Sequence, residues 1–166
     1  MVSNICIVGL LKNYVRKVAK RVADALDMFY ADVHELLSYD FINLVEAEAL
    51  VGKEYIEKQE SVKIKTVAGY ENTVITLNWE CLNKEKNLNA IKKGAVLVYL
   101  RLGKTEFKNK LEKEDGLVDK TEQLKLFKEH DELLKNYANV VALNKGTIDD
   151  VVNIILKKIE EYYENW

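Results

Sequence analysis

A glycine directly after an apolar run, in Ile5-Cys6-Ile7-Val8-Gly9, with a basic helical segment behind it, is where a chain can cradle a phosphate on backbone N–H groups. Such a loop reads G-x-x-x-x-G-K-[ST]. Its second glycine lets the backbone approach phosphate, its lysine meets the terminal phosphates, and its hydroxyl binds magnesium. Counting on from Gly9 puts Tyr14, Val15 and Arg16 at those three places. Tyrosine fills space an anion needs, valine brings no charge, and arginine has no hydroxyl to give magnesium. The expectation is an overwritten phosphate cradle with Gly9, Lys12, Asn13, Tyr14 and Arg16 as its remnants.

Other side chains nearby have chemical potential. Lys12, Arg16, Lys17, Lys20 and Arg21 form a basic cluster at a helix start, readable as a rebuilt anion site or as a solvated helix face, with the second preferred. Tyr14 either stacks on an adenine or plugs the space left by an unused ligand. Asp32 alone does not complete a magnesium shell without nucleotide phosphates. His34 titrates near neutrality when unperturbed and is a candidate proton acceptor. His34 and His130 lack ligand spacing, so no metal site and no cofactor are expected. Cys6 and Cys81 have no C-x-x-C spacing and read as buried thiols of a reducing cytoplasm.

The elements that must position these residues follow from periodicity. Asn4 to Val8 reads as a strand buried on both faces. Asn13 is expected to cap a helix whose Val15, Val18, Val22, Ala25 and Leu26 share one face. Met28 to Ala31 reads as a second strand, followed by helical stretches over 33–38 and 42–63 that break near Gly52. Thr73 to Leu77 is a third strand, Lys84 to Lys93 a helix with Gly94 as its C-cap, and Ala95 to Leu100 a fourth strand. A charged helical region over 105–136 is interrupted around Glu114-Asp115-Gly116. Asn139 to Leu143 is a fifth strand, and Thr147 with Asp150 has capping-box spacing ahead of a helix lined by Ile148, Val151, Val152, Ile155, Leu156 and Ile159.

Strands alternating with helices indicate a single α/β sandwich with a mostly parallel sheet. The 166 residues suit one domain. With 25 basic and 27 acidic residues the net charge is −2, so no global field favours nucleic acid or an acidic membrane. No signal-peptide pattern and no membrane-length apolar run is read, which points to the cytoplasm.

Taken in order, NICIVG from Asn4, V-x-K-x-x-A-x-x-L from Val18 to Leu26, MFYAD from Met28, Gly52-Lys53-Glu54, VIT from Val74, KKGAVLVYL from Lys92 and YANVVAL from Tyr137 resemble shikimate kinase, a small P-loop kinase. The resemblance implies a three-layer fold with a five-stranded parallel sheet in the order 2-3-1-4-5. It also implies a helical substrate subdomain over about 33–63 and a lid over about 105–136. The functional motifs depart from that family. Its D-x-D is represented by Asp32 and His34. Glu57 falls where an arginine would clamp the shikimate carboxylate, and a carboxylate there repels it. The glycine triplet aligns with Asn78-Trp79-Glu80, the lid R-P-L-L with Asp115-Gly116-Leu117-Val118, and a later arginine with His130.

Three functional readings follow. The first is a catalytically degenerate shikimate-kinase-like protein with a binding or regulatory role, its remnant pocket formed by Gly9, Lys12, Asn13, Tyr14, Arg16, Asp32, His34, Glu57 and Asn78. The second is an enzyme or small-molecule binder with a remodelled anion site on Lys12, Arg16, Asp32 and His34. The third is a protein-interaction module, homo-oligomeric or bound to another protein, using the region 105–136 or the aromatics Trp79, Tyr162, Tyr163 and Trp166.

Overall fold

Asn4–Val8 (β1) is buried along its whole length because the sheet runs past it on both sides. The computed structural model describes residues 3–41, 43–113 and 120–165. Within them β1 is followed by Lys12–Leu26 (α1), Phe29–Asp32 (β2), Val33–Asp40 (α2), Leu44–Val51 (α3), Lys53–Ala68 (α4) and Thr73–Thr76 (β3). A 3-10 turn over Trp79–Asn83 leads to Glu85–Gly94 (α5), Ala95–Arg101 (β4), Lys104–Leu111 (α6), Lys120–Tyr137 (α7), Val140–Leu143 (β5) and Ile148–Glu164 (α8). All strand pairs are parallel, in the order β2-β3-β1-β4-β5, as the resemblance implies.

Alternation along the strands divides the core in two. Ile5, Ile7, Val96, Val98 and Leu100 face α1 and α8, while Cys6, Val8, Leu97 and Tyr99 face the other helices through residues such as Ile64, Ile91 and Leu134. The result is a three-layer sandwich. The capping box forms as expected, Thr147 N donating to Asp150 Oδ2 at 2.9 Å and Asp150 N to Thr147 Oγ1 at 3.2 Å. No helix among the described residues is long and apolar enough to cross a membrane.

Several local expectations are corrected. Asn13 does not cap α1, because the helix already begins at Lys12 with Leu11 at the cap position and no capping side chain. On α1 the buried residues are Val15, Val18, Ala19, Val22 and Ala23, whereas Ala25 and Leu26 in the last turn are exposed, so the apolar stripe facing the sheet ends at Ala23. Gly94 is the last residue of α5, and the cap position is the extended Ala95. Glycine is required there for space, since a Cβ would run into the backbone carbonyl of Ala68 at the end of α4. The breaks at 114–116 and the segment Asp115 to Val118 lie outside the described residues, as does Trp166.

Candidate functional site

In an open parallel sheet ligands favour the crevice beyond the carboxyl ends of the strands, where the strand order reverses. Here that crevice lies past β1, between β3 and β4. Asp32 is the last residue of β2, and Gly9, Asn78 and Asn144 follow the carboxyl ends of β1, β3 and β5.

The turn after β1 is short. α1 starts three residues after Gly9, and the intervening Leu10 and Leu11 are buried, so residues that would form a wide loop are wound into the helix or into the core. Gly9 itself has a packing reason to be glycine, because a Cβ would sit 2.7 Å from Val15 Cγ2 and 3.1 Å from the Leu100 carbonyl. Tyr14 donates its hydroxyl to Asn144 Oδ1 at 2.9 Å, with Lys110 Nζ 4.6 Å from its ring centroid. Lys12 pairs with Glu80 at 3.6 Å, and Asn13 Oδ1 accepts from Arg16.

Asp32 is the centre of the next cluster. It is 4% exposed, and Oδ1 caps α2 by accepting from Glu35 N at 2.8 Å. Oδ2 accepts from Arg16 Nε at 2.9 Å and from the Thr76 hydroxyl at 2.7 Å. Burial pulls the carboxyl upward, but the hydrogen bonds from Thr76, Arg16 and Glu35 and the guanidinium charge together hold it below its ordinary value. Arg16 also reaches Asn78 Oδ1 at 3.5 Å. It is thus neither a solvated lysine-like charge nor a cation waiting for an anion; it is the counter-charge of Asp32.

Beside it, His34 Nε2 lies 2.7 Å from Glu60 Oε2, and Nδ1 accepts from Asn78 N at 3.4 Å. The Cys81 thiol also hydrogen-bonds Glu60. Burial opposes ionisation of Glu60, yet the His34 and Cys81 bonds hold its carboxyl below the usual range. The same burial, with the Glu60 charge, pushes the Cys81 thiol well up. Glu57 pairs with Lys84 at 3.0 Å. Trp79 is buried and packs against His130 with the rings tilted by 58° and their centroids 4.7 Å apart, while the Glu80 side chain is exposed. The structure therefore joins Arg16, Asp32, His34 and Asn78 in one network and places Glu57 in a separate ion pair.

Sequence spacing did not reveal Glu60, Asp131 or Asn144. Asp131 is 4% exposed, receives a two-pronged contact from Arg101 at 2.9 and 3.1 Å, and accepts the Tyr99 hydroxyl at 2.6 Å. Tyr99 and Arg101, two apart on β4, share a sheet face, which was a signal available in advance. At the first turns of α1 a cleft of about 760 Å³ is bordered by Asn13, Tyr14, Arg16, Lys17, Lys20, Lys110, Lys113 and Thr147. Asn144 is buried, and its Nδ2 has no partner among the described residues.

The family model described as shikimate kinase matches residues 16–160. No curated protein matches the chain. Shikimate kinase from Bacteroides thetaiotaomicron superposes with a TM-score of 0.80 at 15% identity, over 95% of this chain and 98% of that one. For the Aquifex aeolicus shikimate kinase the values are 0.78 and 18%, over 95% and 96%. For the Acinetobacter baumannii enzyme, solved in complex with shikimate, they are 0.79 and 19%, over 97% and 94%. At such identities these structures establish the common fold.

Proposed function

We propose, for a chain that belongs to the shikimate kinase family, that the scaffold persists without ATP-dependent phosphorylation of shikimate and serves a binding or regulatory role. The observation that carries this reading is the turn after β1, filled by buried Leu10 and Leu11 and closed by α1 at Lys12. A triphosphate needs a ring of inward N–H groups and a lysine there. Magnesium fares no better: both oxygens of Asp32 already accept hydrogen bonds, one set from a guanidinium. These residues do not suit a magnesium nucleotide.

Phosphoryl transfer depends almost wholly on positioning and charge stabilisation. With Glu57 where the family resemblance expects an arginine, the acceptor side is weakened as well. In a coupled assay with ATP, magnesium and shikimate, turnover is expected to stay at background. A rate in the ordinary kinase range of about 1–100 per second refutes the reading.

A second reading is supported by the lysine-bordered cleft: a binder of a small phosphorylated metabolite. Lys12 and Arg16 have carboxylate partners, so in the cleft that Arg16 also borders the anion is met by Lys17, Lys20, Lys110 and Lys113. Ligand linkage then predicts a concentration-dependent rise in melting temperature with one class of phosphorylated metabolite, lost in K110E. A flat response across sugar phosphates and nucleotides removes this reading.

A further inference from the structure

His34 enters from the first turn of α2, Glu60 from the middle of α4, and Cys81 from the 3-10 turn after β3. Their donor atoms all lie within 4.8 Å of one another. The His34 and Glu60 side chains are 15% and 17% exposed, and Cys81 is buried. We infer that His34 Nε2, a Glu60 carboxylate oxygen and Cys81 Sγ form a binding site for a thiophilic divalent cation, with zinc the best match.

The donor set selects the metal. Magnesium and calcium want oxygen-only shells, whereas one imidazole, one carboxylate and one thiolate are the ligands zinc takes, at about 2.0–2.3 Å. A tetrahedral ion at such distances holds its ligand atoms about 3.3–3.8 Å apart, so the cluster needs only small side-chain adjustments. One thiolate and one carboxylate cancel the charge of a divalent ion, which suits a half-buried place. Three protein donors leave a fourth position for water or a small ligand, the arrangement of open rather than structural zinc sites.

Loading is an exchange of cation for proton. The Cys81 S–H bond breaks, the sulfur–metal bond forms, and the thiol proton leaves to solvent. In the neutral imidazole the Nε2 proton moves to Nδ1, which gives up the long 3.4 Å contact from Asn78 N. Glu60 exchanges its bonds from His34 and Cys81 for the metal. Because loading releases the thiol proton, affinity is expected to rise with pH.

The test uses the intact chain, stripped with chelator and titrated with cobalt(II). Expected are a 1:1 complex, a near-ultraviolet thiolate-to-cobalt charge-transfer band with visible bands of a four-coordinate ion, bleaching by zinc, and a zinc-dependent rise in melting temperature. C81S should abolish the thiolate band, and C6S should retain it. Should C81S misfold, E60Q decides: its cobalt affinity should fall by more than the roughly 10–100-fold typical of losing a mere outer-shell partner. Absence of the band in the unmutated chain, its survival in C81S, or unaltered affinity in E60Q overturns the site. The readout is optical and independent of ATP turnover, so failure here is distinct from failure of the proposed function.

Discussion

Asp32→Ala is expected to lower the unfolding free energy by about 3 kcal/mol, more than the roughly 1 kcal/mol of a lost helix cap and at the low end of the 3–5 kcal/mol for a broken buried pair. Three losses coincide: the α2 cap at Glu35 N, the acceptor of the Thr76 hydroxyl, and the counter-charge of Arg16. Arg16 is 30% exposed at its side chain and retains some water, which keeps the total from the upper end. For a chain of this size, about 3 kcal/mol is a fall of roughly 6–12 °C in melting temperature. Arg16→Met should cost less, and the double variant should be more stable than the sum of the two predicts, because the second change removes the charge the first one stranded. An unchanged denaturation midpoint in Asp32→Ala sinks the argument.

The same carboxylate sets an acid limit. Its folded pKa lies below its unfolded value, which is about 3.9, so the folded state favours the ionised form. Its contribution is therefore complete above the unfolded value and is lost as pH falls through the folded one. Glu60 and Asp131 shift in the same direction. Urea melts taken at successively lower pH should show the natural chain losing stability below about pH 4 more steeply than Asp32→Asn. Parallel curves count against it.

Gly94→Ala tests which of two opposing rules governs a helix end. Helix propensity alone favours alanine by about 1 kcal/mol. Space decides otherwise, because the new methyl meets the Ala68 carbonyl rather than a flexible side chain, and neither backbone yields easily. A destabilisation at or above the upper end of the roughly 1–3 kcal/mol typical of overpacking is expected, read as a lower denaturant midpoint. Loosening should concentrate in α4 and α5, visible as faster amide exchange there. A variant as stable as the natural chain would show that the two helices separate freely.

Local chemistry was legible in the residues alone. The apolar runs of β1 and β4 read as strands, that of β1 as one buried on both faces, and Thr147 with Asp150 announced the start of α8. The missing glycine, lysine and hydroxyl after Gly9 could be counted, because a phosphate loop is contiguous and its requirements sit at fixed spacing. By contrast, counting offered no means of learning that Gly94 owes its identity to Ala68, or that Leu26 is exposed.

Tertiary structure decided the partnerships. Arg16 read as one more cation on a basic helix until β2 brought Asp32 against it. His34 had no ligand partners by spacing, yet α4 and the turn after β3 place Glu60 and Cys81 beside it. Asp131 belongs with Tyr99 and Arg101 only because α7 packs over β4. The physical reason is common to all three. Periodicity and capping act within a few residues of chain, whereas the crossovers of a parallel sheet bring together side chains tens of residues apart, and it is these long-range neighbours that determine whether a charge is solvated, paired or available.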